Sequence, residues 1–292
     1  MGFAIVTDTS ANLPSALVRE HGVTVIPFTY TFDGVELTST DTAAFDGPTF
    51  YAAMRKGTAV TTSLISPERY ASCFRPILEA GQDLLFVSMS SGISGSYQAA
   101  ALAAEELREA FPERTIRLVD ALGASLGEGL LVLEAVRCRA AGQDLYDTAG
   151  RLLSLRRRVC QVFTVDDLQY LRRGGRLSNM AAVVGTVLNI KPILKGNEEG
   201  KIVSTAKVRG RKKAIETLAA RYETLVAEPE TQTVGIAHAD CAEDAETLAA
   251  LLRKNKAPRE ILTVMYEPVT GSHVGPGTLA LFFLGYEVVR SK

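Results

Sequence analysis

Ser90-Ser91-Gly92-Ile93-Ser94-Gly95, just after the apolar run Leu84-Leu85-Phe86-Val87, is the stretch that decides the fold. Four consecutive apolar residues closed by Ser and Gly read as a buried parallel strand, and a helix is predicted from Ser94 to Ala110. The loop between them carries hydroxyls, glycines and helix-start N–H groups without intrahelical partners. Together with the partial positive charge of a helix N-terminus, these suit an anion such as a carboxylate or phosphate. The same residues also fit a plain N-cap with a tight turn, which Ser and Gly favour equally.

Outward from this loop the first half alternates strand and helix. Strands are predicted at Phe3–Thr7, Val23–Pro27, Thr29–Phe32, Asp83–Met89 and Thr115–Val119. Asp33-Gly34 has the composition of a hairpin turn. Helices are predicted from Asn12-Leu13-Pro14 to His21, from Ser66-Pro67, over Gly123–Ala141 and over Leu145–Arg157. Short buried strands between longer helices predict a layered α/β domain with a mainly parallel sheet. The second half mixes hairpins with helices and predicts an α+β domain. It has strands at Val159–Val165, Asn189–Leu194, Lys201–Val208, Thr233–Ala237 and Glu260–Tyr266, and helices at Asn179–Leu188, Arg211–Val226, Ala242–Lys254 and Thr278–Phe283. The boundary is placed at 158, giving domains 1–158 and 159–292.

The 292 residues are 47% hydrophobic with a net charge of −1. That is enough for one large or two ordinary cores. No apolar stretch reaches membrane-spanning length, and the N-terminus reads as a first strand, not a signal peptide. Cys73, Cys138, Cys160 and Cys241 form no CxxC pair, and the three histidines are His21, His238 and His273. The expectation is therefore reduced thiols, no metal and a cytoplasmic location. Charge is uneven: Arg151 to Lys213 holds fifteen Lys/Arg against four Asp/Glu, a net of +11. Such a segment suits an acidic partner, an anionic membrane surface or nucleic acid, or is simply a set of solvated helix faces. It lacks the interleaved aromatics of a single-strand binder.

Three further clusters carry polar chemistry. Thr61-Thr62-Ser63 offers hydroxyls ahead of a helix. Gly174-Gly175-Arg176 joins a glycine stop to an arginine able to grip an anion. Gly271-Ser272-His273-Val274-Gly275-Pro276-Gly277 sets a histidine among glycines, beside the expected start of the Thr278–Phe283 helix. The phosphate loop G-x-x-x-x-G-K-[ST] and the dinucleotide G-x-G-x-x-G are absent, and Gly92-Ile93-Ser94-Gly95-Ser96 is not a G-x-S-x-G elbow.

The constellation resembles the DegV family. Asp8-Thr9-Ser10-Ala11-Asn12-Leu13-Pro14, Thr62-Ser63 with Ser66-Pro67, Ser90 to Ala100 and Leu168 to Ser178 (LQYLRRGGRLS) look like its signatures. So do Leu188-Asn189-Ile190-Lys191-Pro192-Ile193-Leu194, Lys207-Val208-Arg209-Gly210, and His273 with Gly275-Pro276-Gly277. The seven motifs are collinear over nearly the whole chain. The resemblance implies a two-domain α/β protein holding a long-chain fatty acid in a tunnel between or within its domains. It also implies a carrier that presents the carboxylate to a separate ATP-dependent fatty acid kinase, whose acyl phosphate feeds phospholipid synthesis. By residue match, Thr62, Ser63, Ser94, Arg176 and His273 would bind the carboxylate, and Arg172 and Arg173 would face the partner. The chain itself would be no enzyme and hold no cofactor. Nucleic acid is not expected, and membrane-surface contact would be transient at most. The small apolar run Ala181–Leu188 is a candidate tunnel lining. Two departures from the family pattern touch the ligand: Leu64-Ile65 stands where Gln-Pro is usual, and Asp120-Ala121 where Asp-Ser is common. The competing function is an acyl-ester hydrolase with Ser94 as nucleophile and His273 as base.

Overall fold

The computed structural model describes residues 2–38, 40–178, 189–286 and 289–291. The helix expected at Asn179–Leu188 and the tunnel lining expected at Ala181–Leu188 lie outside them. The chain divides into two compact units, one of Met1–Phe45 with Thr61–Arg156, the other of Asp46–Val60 with Arg157–Lys292. Segment 46–60 thus departs from the single cut at 158. It carries helix α2 (Gly47–Arg55), which the reading above omits although Asp46 caps it from the Thr49 N–H and Pro48 sits in its first turn. What draws α2 into the second unit is long-range: the buried Tyr51 hydroxyl donates to the Tyr266 carbonyl at 2.8 Å.

In the first unit, β1 (Ala4–Asp8), β2 (Val23–Ile26), β6 (Leu84–Ser88) and β7 (Ile116–Asp120) form an all-parallel sheet in the order β2-β1-β6-β7. Leu84-Leu85-Phe86-Val87-Ser88 is buried at every position, which requires both faces of the strand to be covered. Helices α3 (Pro67–Glu79), α4 (Ser96–Ala110), α5 (Leu126–Ala140) and α6 (Leu145–Leu155) supply the cover. Phe86 packs against Tyr70 and Phe74 of α3 with ring centroids 5.2 and 5.5 Å away. A smaller sheet has the order β4-β3-β5, with β3 (Thr29–Phe32) and β4 (Val35–Thr38) joined by Asp33-Gly34. Both turn residues have positive φ, as a two-residue hairpin requires. β5 is Val60–Ser63.

The second unit is a six-stranded mixed sheet in the order β10-β9-β8-β13-β11-β12. Its strands are β8 (Val159–Thr164), β9 (Ile190–Gly196), β10 (Ile202–Arg209), β11 (Thr233–His238), β12 (Glu260–Met265) and β13 (Leu279–Leu284). Helices α8 (Arg211–Leu225) and α9 (Ala242–Asn255) pack on it around Tyr222, Leu248 and Phe283. β13 corrects the helix expected at Thr278–Phe283. Leu-Ala-Leu-Phe-Phe-Leu is too short and too uniformly apolar for periodicity to separate helix from strand. Its place between β8 and β11 buries both faces.

A polar seam runs beneath the carboxyl edge of the parallel sheet. Thr7 Oγ1 lies 2.9 Å from the Val87 carbonyl and 2.8 Å from Glu128 Oε1. Ser10 Oγ lies 2.5 Å from Asp8 Oδ1 and 2.6 Å from Glu128 Oε2. All four side chains are buried. Each hydroxyl carries one proton, so the two donate at only two of the four contacts, and a proton on the carboxyl pair supplies a third. Burial accordingly pushes the Asp8 carboxyl up to about 6, against opposing hydrogen bonds from Ser10 and Met89. A carboxyl raised in the folded state contributes stability that is full below the ordinary carboxylate range and lost as pH rises through the raised value. The melting-temperature advantage of wild type over Asp8→Asn is therefore expected to be largest near pH 4 and to shrink toward pH 7. A gap that stays constant in calorimetry across that range would contradict the shared proton.

Candidate functional site

Open parallel sheets bind ligands outside the carboxyl ends of their strands where the strand order reverses. In the order β2-β1-β6-β7 that point lies between β1 and β6. The loop leaving β6 is Met89–Gly95, the stretch singled out in the sequence. Its amides are less available than the sequence suggests. Ser90 O accepts from Ile93 N and Ser94 N, each at 3.2 Å, and Ser90 Oγ accepts from Gly92 N at 3.1 Å. Ser91 donates to Asp120 through N at 3.3 Å and Oγ at 2.6 Å. The helix begins at Ser96 with Gly95 as N-cap, two residues later than expected, because Ser94 Oγ accepts the Ser96 N–H at 3.2 Å and closes a turn first. What the loop offers an outside group is therefore the half-buried Ser94 hydroxyl more than a nest of amides.

Thr62 and Ser63 lie at the end of β5, half-buried and exposed respectively. The structure brings their segment to the same loop. Ile65 N donates to Ser96 Oγ at 3.4 Å, and a Cβ on Gly95 would touch the Leu64 side chain at 3.5 Å. The unusual Leu64 is 55% exposed, so the Leu64-Ile65 departure puts an apolar side chain beside Gly95 at the surface. Ala121, the other departure, is buried, and its N–H donates to Ser88 O at 3.0 Å.

Arg176 and His273 meet in the second unit. His273 sits in the last turn of α10 (Pro268–Val274), not beside a helix start, and Gly275 with φ 81° ends the helix. A Cβ at Gly275 would enter the Tyr170 ring, and one at Gly174 would strike His273 Nδ1, so glycine at both is what lets α7 (Gln169–Arg173) and its turn close on α10. Burial, then the Arg176 charge, hold the imidazole down at about 4, which leaves it neutral at pH 7. Arg176 donates to the Gly174 carbonyl. His273 is thus a neutral hydrogen-bonding group beside a cation, not a second cation.

The basic segment is largely engaged within the fold. Arg151 pairs with Glu134, Lys191 with Asp166 at 2.6 Å and Arg211 with Asp244 at 2.8 Å, while Arg156 donates to the Asp120 carbonyl at 2.9 Å. Arg172 and Arg173 are exposed, and the Arg173 guanidinium stacks 5.0 Å over the Tyr170 ring. Among the described residues no cluster of three or more His, Cys, Asp or Glu could hold a metal, and no helix is long and apolar enough to cross a membrane.

An all-parallel sheet with hydroxyls at its switch point, joined in one chain to a six-stranded mixed sheet, defines an α/β protein of two units. The sequence profile described as "Uncharacterised protein, DegV family" matches residues 2–285, and the chain belongs to the DegV family. A DegV domain-containing protein of Clostridium perfringens is 37% identical over 283 residues, 97% of each chain. A fatty-acid-binding DegV family protein from Thermus thermophilus is 31% identical with a TM-score of 0.87, covering 98% of this chain and 100% of its own. A fatty-acid-binding DegV family protein from Streptococcus agalactiae is 30% identical with a TM-score of 0.85, over 98% and 100%.

The His273 environment has a direct readout. An NMR titration is expected to place its imidazole near pH 4, and Arg176→Gln is expected to raise that value while leaving it below the ordinary 6.5. Titration at 6.5 in the wild type would contradict the burial.

Proposed function

We propose that this protein binds a long-chain fatty acid, holds its carboxylate at Ser94, Thr62 and Ser63, and presents it to a separate ATP-dependent fatty acid kinase. The observation that carries the reading is the Ser94 hydroxyl at the sheet's switch point, in a chain whose relatives of nearly equal length bind fatty acids. The physics supports it. Burying an acyl chain gains about 0.8 kcal/mol per methylene, so a chain of roughly sixteen carbons supplies on the order of 10 kcal/mol before ordering costs. The carboxylate then needs donors, because an unpaired buried charge is very costly. The family resemblance extends the head-group assignment to Arg176 and His273, with His273 as a neutral donor. In this reading the chain carries no catalysis of its own, and the exposed Arg172 and Arg173 face the kinase.

Delipidated protein is expected to bind one oleate per chain in calorimetry. Losing one hydrogen bond to a charged group costs roughly 1.5–3 kcal/mol, so Ser94→Ala is expected to weaken oleate by about ten- to a hundredfold. Unchanged affinity in both Ser94→Ala and Thr62→Ala would reject the head-group site. Ester hydrolysis by wild type, lost in Ser94→Ala and His273→Ala, would favour the hydrolase instead.

Reversing charge at Arg172 and Arg173 is expected to impair acyl phosphate formation by a fatty acid kinase with ATP while sparing oleate binding. Equal loss of both would make these arginines structural.

A further inference from the structure

The six-stranded sheet ends at β10 and β12, and the two edges are built differently. β10 carries devices that keep an edge from pairing: a register shift between Ser204 and Ala206, and the exposed Lys207 and Arg209. β12 carries neither. Glu260-Ile261-Leu262-Thr263-Val264-Met265 has no Pro, Lys or Arg, and its register with β11 runs unbroken over all six residues. Ile261, Leu262, Val264 and Met265 are half-buried, and Thr263 is exposed. Among the described residues no strand or isolated bridge pairs with the outer side of β12.

The phase of the ladder shows which groups that side offers. The Tyr266 N–H donates to the His238 carbonyl at 2.9 Å, and successive residues of a strand turn their backbone groups to opposite sides. Leu262 and Val264 therefore face β11, while Ile261, Thr263 and Met265 turn their N–H and C=O outward. These three positions are symmetric about Thr263. An antiparallel copy of β12 on a twofold axis at Thr263 pairs Thr263 with Thr263 and Ile261 with Met265, so each outward group finds a partner. The same setting lays Leu262 beside Val264 on one face and Ile261 beside Met265 on the other, apolar against apolar. A slip of one residue turns the wrong groups to the partner, and a slip of two leaves one of the three positions unpaired.

The helix over this edge carries matching charge. α9 packs on β11 and β12 and faces α8 through Asp244, which accepts from Arg211 at 2.8 Å. At 3.6 residues per turn, Glu246 and Arg253 lie roughly 200° and 180° round the helix from Asp244, on the side toward the β12 edge. Both are exposed, and they pair with each other at 3.1 Å. A helix seated over the last two strands lies about 10 Å from its twofold copy, the spacing at which helices pack. The two α9 helices then run antiparallel, which sets Glu246 of each copy against Arg253 of the other.

We infer that this chain self-associates as a twofold dimer, β12 pairing antiparallel with β12 of a second copy and α9 lying against α9. The two six-stranded sheets join into one. One strand pair and one helix face make an interface at the small end of the specific range, so a dissociation constant on the order of micromolar is expected.

Sedimentation velocity of the full chain, from well below to well above that concentration, tests this. Wild type is expected to pass from monomer to dimer. Thr263→Pro removes an outward N–H and no bond to β11, so it is expected to stay monomeric with a melting temperature close to that of wild type. Thr263→Lys, which sets two cations together on the axis, is expected to do the same and serves if proline disturbs the strand. Glu246→Arg and Arg253→Glu each bring like charges together twice per dimer and are each expected to weaken it about tenfold. An equimolar mixture of those two variants is expected to recover dimer, because each then meets the opposite charge. Wild type that stays monomeric throughout would overturn the proposal and leave the edge to an extended segment of another protein. A dimer that survives both Thr263 variants would overturn the β12 pairing, and a mixture no tighter than its components would overturn its register.

Discussion

The buried seam of Thr7, Asp8, Ser10 and Glu128 is the interaction on which the carboxyl edge of the first unit's parallel sheet depends. These side chains come from the end of β1, the turn after it and the first turn of α5, and through Thr7 they reach the Val87 carbonyl of β6. The loops after β1 and β6 are thereby tied on either side of the switch point. The Met89–Gly95 loop is anchored from the other side by Ser91 on Asp120 and by the Ser90 N–H on the Gly123 carbonyl. The seam also explains why two carboxyls are tolerated in a buried place: the Thr7 and Ser10 hydroxyls hydrogen-bond them, where bare charges would be costly.

The edge is accordingly a surface of hydroxyls backed by acids. Ser91 is held by Asp120 and Ser94 by Ser96, and the amides between them are used by Ser90. A ligand recognised there meets side-chain O–H groups on a rigid frame, with the exposed Leu64 alongside. In the second unit the chemistry differs. His273 is kept neutral by burial and by Arg176, and its position is set by two glycines that allow helices to approach closely. A neutral imidazole next to a guanidinium offers hydrogen bonds without adding a second charge.

Much of this was legible in the sequence, for stateable reasons. The β6 strand and its loop stood out because an unbroken apolar run ended in Ser and Gly. The hairpin at Asp33-Gly34 stood out through its turn residues. The motif match pointed at the family, to which the chain belongs; its assignment of Ser94, Thr62, Ser63, Arg176 and His273 to a head-group site is a proposal. What was not legible is non-local. Glu128 meets Ser10 across 118 positions, and Tyr51 meets Tyr266 across 215, so neither pattern nor propensity announces them. Strand β13 was misread as helix because six apolar residues have no usable period, and that error moved His273 from the end of one helix to the start of another. The spent amides of the Ser90 loop were missed because partners such as Asp120 lie about thirty residues away, visible only once β6 and β7 pair in parallel.

The central claim is that the acid head group sits at the carboxyl edge of the parallel sheet and is held by the Ser94 hydroxyl. The most direct measurement is a crystal structure of the delipidated protein reloaded with oleate. One carboxylate oxygen is expected at about 2.5–2.7 Å from Ser94 Oγ, the length of a charge-assisted O–H···O bond, with the Thr62 hydroxyl on the same group. A carboxylate bound elsewhere, with the Ser94 proton still directed at Ser96, would contradict the account.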